Sequence, residues 1–149
     1  MILHDYITLK SLYRYNLEDS RFYQNTAYFE KKLINQVFFE RMYVQKKSCC
    51  TVLRILLLRD YGMGEIYAVK KSVDLNDRDF APQVSNYQKK EFLRESYNRE
   101  KRSLHHYMNI FDDINNYEIR ELVQDQIIVL ENAVAEIKLN GMKRYLIDI

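Results

Sequence analysis

One stretch near the end of the chain decides the fold: VQDQIIVLENAVAEI, residues 123–137. Its apolar residues return at alternating spacings of four and three, the pattern of a helix seam in a coiled coil or helical bundle. They are Val123, Ile127, Leu130, Val134 and Ile137. Asn115, with Glu118 three residues later, predicts the start of this helix as a capping box. Asn140-Gly141 predicts its end.

The rest of the chain contains little that would interrupt a helix. Its 149 residues include only three glycines and one proline, whereas sheets with tight turns need these residues repeatedly. We therefore predict a mainly α fold, a single-domain helical bundle of four to six helices over residues 1–149. The clearest loop, at about residues 74–84, contains Pro82 and divides this domain into two halves.

Two helices are predicted in the N-terminal half. Apolar residues at spacings of three and four predict the first from Ile2 to Leu17. A polar stretch from Glu18 to Asn25 follows, and Asn25 or Thr26 would cap the second helix. Lys46 and Lys47 suit the C-terminal end of that helix, where the helix dipole favours cations. The residues expected on its apolar face are Phe29, Leu33, Val37, Phe38 and Met42.

Residues 51–73 allow two interpretations. They form either a short β-hairpin with its turn around Gly62 and Gly64, or two helices with Gly62 ending the first. The helical alternative is favoured because Ile66, Val69 and Val73 fall at helical spacing. Beyond the predicted loop, a long charged helix is expected to end near Phe111.

Composition limits the class of protein. The 23 Lys and Arg residues nearly balance the 21 Asp and Glu residues, so the strong field of a nucleic-acid coat protein is missing. No apolar run is long enough to insert into a membrane, and the N-terminus does not match a secretory signal. Cys49 and Cys50 are adjacent and are expected to be reduced thiols. We expect an intracellular protein of the cytoplasm or an organellar matrix, not a secreted one.

One short stretch on the long charged helix bears on catalysis. Arg99, with His105 six residues later, resembles the Arg-x(4–6)-His signature of the HEPN helical ribonucleases, over about nine residues. The resemblance implies that Arg99 would position a phosphate and that His105 would transfer a proton to or from the RNA 2′-hydroxyl. An exposed charged helix gives the same pattern without any catalysis.

The same helix also suggests a surface for nucleic acid. Its basic residues could neutralise phosphates, and tyrosines between them could stack on bases. Glutamates on the same helix, among them Glu95 at ion-pair spacing before Arg99, favour an ordinary solvated surface. The candidate nucleic-acid-binding residues are Lys89, Lys90, Arg94, Arg99, Lys101 and Arg102.

No motif for a metal, cofactor or small-molecule substrate is present. The two adjacent cysteines and the three histidines do not have zinc-site spacing, and no phosphate-binding loop or nucleophile elbow occurs. We therefore expect a non-enzymatic helical interaction protein, an accessory or structural subunit of a larger assembly of viral, plasmid or organellar type. Its partner would be another protein or a second copy, and the seam from Val123 to Ile137 is the expected interface.

Overall fold

The computed structural model of the protein describes residues 3–62, 64, 66–71, 73 and 89–141. Its four long helices are α1 (Leu3–Phe29), α2 (Leu33–Tyr61), α3 (Lys89–Phe111) and α4 (Tyr117–Gly141). Residues 64, 66–71 and 73 are also helical, and no described residue belongs to a strand. The predicted helical bundle is therefore confirmed, and the alternative of a β-hairpin at residues 51–73 is wrong. The predicted loop at residues 74–84 lies outside the described residues.

The chain divides into two compact units, Met1–Tyr87 and Gln88–Ile149. In the first unit, α1 and α2 pack against each other as an antiparallel helical hairpin. In the second unit, α3 and α4 do the same. The organisation as one domain over residues 1–149 stays a prediction.

The polar stretch from Glu18 to Asn25 is not a loop, because α1 continues through it to Phe29. Two of its polar residues, Asp19 and Ser20, are almost completely buried. Ser20 Oγ donates a hydrogen bond to the Leu17 carbonyl oxygen at 2.7 Å. Such a bond satisfies a buried hydroxyl within its own helix, so the helix continues where apolar residues are scarce.

The turn between α1 and α2 comes later than predicted. Neither Asn25 nor Thr26 caps a helix, since both lie within α1, and α2 starts after Lys32, whose backbone is extended. The Lys32 backbone N–H donates to Glu30 Oε1 at 3.1 Å. This bond places the Glu30 carboxylate at the beginning of α2, where the helix dipole favours a negative charge.

Helix α2 runs on to Tyr61. The prediction that it ends at Lys46 and Lys47 is therefore wrong. It ends at Gly62, whose φ of 86° is one that residues with a side chain rarely adopt. Lys46 is only 2% exposed, because it lies on the side of α2 that faces the core of the unit. The core side chains of α1 and α2 include the stacked pair Tyr23 and Phe39, whose ring centroids are 6.3 Å apart.

The short helical stretch at residues 66–71 contributes to the same unit. Ile66 and Val69 are buried, and so is Val73, which confirms the predicted helical spacing of these three residues. Ala68 and Val69 line a groove of about 340 Å³ together with residues of α1. Among the residues of the first unit that the structure describes, this stretch is therefore helical in addition to α1 and α2.

In the second unit, α3 ends at Phe111 as predicted. The cap of α4 is Asn116 and not Asn115: Asn116 Oδ1 accepts a hydrogen bond from the Ile119 backbone N–H at 3.2 Å. Helix α4 is described as far as Gly141, the residue at which the sequence predicts its end. Between the two helices, the Tyr107 hydroxyl donates a buried hydrogen bond to Gln126 Oε1.

Candidate interaction surface

Helix α2 has apolar residues on two opposite sides. One side faces the core of the first unit and carries Phe39, Met42, Leu53 and Leu57, all at most 2% exposed. The other side faces water and also carries aliphatic residues. A helix that packs on one side only usually has charged and polar residues on the opposite side, so α2 departs from the ordinary pattern.

We call the aliphatic residues on the water-facing side the apolar stripe of α2. Each is between 40% and 73% exposed, and at 100° per residue they fall within an arc of about 100°. Single exposed apolar residues are common on proteins, whereas several that share one side of a helix are typical of a binding surface. The members are Leu33, Ile34, Val37, Val44, Val52 and Ile55.

The sequence prediction placed two of these residues in the core. Leu33 and Val37 were expected on the core face of the second helix, and that prediction is wrong, since both are exposed. Phe38 and Met42, predicted on the same face, are indeed buried. The spacing of Val37, Val44 and Ile55 distinguishes the exposed residues from the buried ones, because it places these three on one side of a straight helix.

A shallow groove borders the stripe near the beginning of α2. Its volume is about 340 Å³, and it is lined by residues of α1 and α2. Tyr28, on the α1 side, is 80% exposed and contacts Phe29 edge to face at a centroid distance of 5.0 Å. Glu40, on the α2 side, brings a carboxylate to the edge of the stripe. The groove therefore widens the apolar surface toward the tip of the α1–α2 hairpin.

The predicted interface on α4 has a different environment. Val123, Leu130 and Ile137 are at most 3% exposed, and Ile127 and Val134 are half-buried. The three buried residues form the side of α4 that lies in the core of the second unit. Only the half-buried two have surface left for a partner, so the role of this seam as an interface stays a prediction.

The candidate nucleic-acid residues on α3 do not all share one side. Arg94 and Lys101 are exposed and lie seven residues apart, so they project from the same side, with Arg102 next to them. Arg99 projects from another side, where its Nε lies 3.1 Å from Glu95 Oε1 in the predicted ion pair. The side chains of Lys89 and Lys90 lie outside the described part of the chain.

The tyrosines of this helix offer little surface for stacking on bases. Tyr107 is buried and bonded to Gln126, so its ring is not exposed for stacking. The Tyr97 ring is covered by the Lys101 ammonium, 5.4 Å from the ring centroid. Any contact with nucleic acid on α3 would therefore be mainly electrostatic.

Arg99 and His105 do not converge within one chain. Six residues turn a helix by about 600°, so the two side chains leave α3 about 120° apart. His106, seven residues after Arg99, is the histidine on the same side as Arg99. Burial lowers the pKa of His106 below its ordinary value of 6.5. The assignment of catalysis to Arg99 and His105 stays a prediction.

The remaining reactive groups do not form a recognisable site. Neither Cys49 nor Cys50 forms a disulfide, and burial raises the pKa of Cys50 to about 12, with a smaller contribution from Cys49. A thiol with such a pKa is a poor nucleophile near neutral pH. Among residues 3–62, 64, 66–71, 73 and 89–141, no three His, Cys, Asp or Glu side chains are grouped as a metal site requires.

Comparison with known proteins identified no relative of this chain. No protein-family model, no curated protein and no solved structure matches this chain. Within the described part of the chain, none of the helices combines the length and the apolar character needed to cross a membrane.

Proposed function

We propose that this chain is a non-enzymatic helical interaction protein, an accessory or structural subunit that associates through the apolar stripe of α2. The observation that carries the proposal is the exposure of six aliphatic residues along one side of a helix whose other side is already packed. Each square ångström of apolar surface removed from water contributes about 25 cal/mol. A partner that covered the stripe would gain this free energy without any rearrangement of the core.

The shape of the α1–α2 hairpin supports a binding role. Helix α2 has 29 residues, so it offers a straight surface of about 40 Å. Docking of an apolar helix face into a partner is a common mode of protein recognition. The stripe is the leading interface, and Ile127 and Val134 of the α4 seam, with the neighbouring exposed Ile128, provide a second surface.

Three isoleucines allow a matched test of these surfaces. Ile7 on α1, Ile55 on α2 and Ile128 on α4 are 55%, 56% and 52% exposed. We would express Ile7→Asp, Ile55→Asp and Ile128→Asp in the cells from which the chain comes and analyse each by native mass spectrometry at moderate salt. Association with itself or with another protein should persist for Ile7→Asp and disappear for Ile55→Asp, and a loss for Ile128→Asp alone would assign the association to the α4 surface instead. Association unaffected by Ile55→Asp would overturn the assignment to the stripe.

We propose an intracellular location, in the cytoplasm or an organellar matrix, on the basis of the two cysteines. Reduced cysteines persist in compartments that are kept reducing, and neither Cys49 nor Cys50 forms a disulfide. We further propose an accessory protein of viral, plasmid or organellar type, as the tyrosine-, asparagine- and lysine-rich composition suggests.

Nucleic-acid binding by α3 is the second candidate function. It is favoured by Arg94, Lys101 and Arg102, whose exposed cationic groups lie on adjoining sides of the helix. Three cations make a small electrostatic footprint compared with that of most nucleic-acid-binding domains. A strong dependence of affinity on salt would distinguish this function from association through the stripe, which is mainly apolar.

A further inference from the structure

The apolar stripe is unevenly distributed along α2. One aliphatic block, Leu33, Ile34 and Val37, lies at its N-terminal end, and a second block, Val52 and Ile55, lies toward its C-terminal end. The midpoint of Ile34 and Ile55 falls between residues 44 and 45, and so does the midpoint of Val37 and Val52. Four of the six stripe residues are thus paired about one point of the helix, whereas Leu33 and Val44 have no aliphatic counterpart on the stripe.

We propose that the occupant of the stripe is a second copy of this chain, with the two α2 helices packed antiparallel. The proposal rests on the proposed function and names its partner. A two-fold axis through the region of Val44 would bring Ile34 of one copy opposite Ile55 of the other, and Val37 opposite Val52. Self-complementarity of this kind is what an isologous dimer interface requires, because both subunits use the same surface.

Charges in the middle of α2 select the antiparallel orientation. Arg41, Lys47 and Ser48 are exposed between the two aliphatic blocks. A parallel pair would place Arg41 of one copy against Arg41 of the other. An antiparallel pair instead places Arg41 opposite Ser48, and Glu40 about 3 Å along the helix axis from Lys47 of the other copy. Each dimer would contain this Glu40–Lys47 pair twice, and the two helix dipoles would also be antiparallel.

The same features argue against a membrane surface as the occupant. A helix that lies on a bilayer has a continuous apolar side flanked by cations. The stripe is interrupted in the middle by Arg41, and Glu40 lies at its edge. Short side chains at Ser48 and Thr51 leave room for another helix to approach closely at this point.

The first experiment measures self-association of the full chain by sedimentation equilibrium over a wide range of protein concentration. We expect a concentration-dependent dimer, with an association constant at least tenfold lower for Val37→Asp and for Ile55→Asp. Ile7→Asp, equally exposed on α1, should dimerise like the unmodified chain. Circular dichroism of each variant measures its helix content, which should be unchanged because the substituted residues are exposed. Equal association of all variants would overturn the proposal.

The second experiment tests the orientation with a short amine-reactive crosslinker followed by mass spectrometry. A crosslink between Lys47 and Lys47 can form only between two copies of the chain. The antiparallel arrangement predicts this crosslink because the two Lys47 residues lie near the two-fold axis. Lys32, exposed at the beginning of α2, lies on opposite ends of the dimer, so no Lys32–Lys32 link is expected. A strong Lys32–Lys32 link would overturn the antiparallel arrangement.

A charge exchange adds an independent measurement of the same arrangement. Glu40→Lys should weaken dimerisation about threefold, as expected for exposed ion pairs, and addition of Lys47→Glu should restore it. Failure of the double variant to recover would contradict the pairing. A chain that stays monomeric at every concentration, yet binds another protein in a manner lost in Ile55→Asp, would overturn this inference and leave the proposed function standing. A monomer without such a partner would overturn both.

Discussion

Val37 and Ile55 lie about five helical turns apart on the same side of α2, and they are 53% and 56% exposed. Because neither contributes to the core, we expect Val37→Asp or Ile55→Asp to change the free energy of unfolding of the diluted monomer by less than about 0.5 kcal/mol. Leu53, on the opposite side and fully buried, is the control: Leu53→Ala should cost about 2–5 kcal/mol. Urea denaturation at low protein concentration measures all three. A large loss for Val37→Asp would mean that the chain itself covers the stripe.

The hydrogen bond from Tyr107 to Gln126 joins α3 to α4 within the core of the second unit. Tyr107→Phe removes the donor and leaves a buried amide oxygen without it, so we expect a loss of about 1–2 kcal/mol in unfolding free energy. Gln126→Leu in the Tyr107→Phe background should recover part of this loss, because the unsatisfied oxygen is then gone. Chemical denaturation of the four proteins gives the coupling energy. Additive effects of the two substitutions would show that the bond contributes nothing.

The helical class could be predicted because glycine and proline are almost missing and because several helix ends carry local signals. Gly62 marked the end of α2 under the helical interpretation, and the structure has α2 end there. The turn between α1 and α2 could not be located, since residues 30–32 contain neither glycine nor proline. The chain changes direction there through backbone and Glu30 hydrogen bonds, which have no distinctive sequence pattern.

Two further features could not be predicted from the spacing of apolar residues, because some polar residues are buried and some apolar residues are exposed. Asn16 and Asp19 are buried in α1, and Asn16 donates a hydrogen bond to the Leu12 carbonyl oxygen at 2.8 Å. A prediction from apolar spacing does not count these polar residues as part of the core, so it places the end of the helix too early. In α2 some apolar residues are exposed. Exposed Val52 and Ile55 alternate in the sequence with buried Leu53 and Leu56, so the apolar run did not show which residues belong to the core.

The Thr26 hydroxyl is a buried polar group whose removal should stabilise the protein. Thr26 is 0% exposed, and its Oγ1 has no hydrogen-bond partner among the described residues. Thr26→Val keeps the shape and removes the unsatisfied oxygen, so we expect unfolding free energy to rise by about 1 kcal/mol. Thr26→Ser, which keeps the hydroxyl and loses a methyl group, should be destabilising. Thermal unfolding of the two variants decides it, and a less stable Thr26→Val would mean that the hydroxyl is in fact bonded.

The second candidate function predicts a specific salt dependence. If α3 binds nucleic acid, the affinity for single-stranded RNA should fall steeply with salt, and replacing Arg94, Lys101 or Arg102 by Gln should each reduce the slope of log K against log salt by about one. Fluorescence anisotropy measures both quantities. The control is Lys31→Gln, an exposed lysine at the α1–α2 turn. Equal slopes for all four variants would exclude α3 as the binding surface.

Burial of Cys50 should make the fold sensitive to alkaline pH. Burial raises the pKa of the folded-state thiol to about 12 from an ordinary value of 9.0, so the unfolded chain releases its proton first. The stabilisation from the neutral buried thiol is therefore complete below pH 9 and declines as the pH rises toward 12. Other groups titrate in this range, so the informative quantity is the difference between the unmodified chain and Cys50→Ala. We expect the unmodified chain to lose about 1–2 kcal/mol more than Cys50→Ala between pH 8.5 and pH 10.5, measured by urea denaturation at each pH. Parallel pH profiles would mean that water or a cation reaches the Cys50 sulfur in the folded protein.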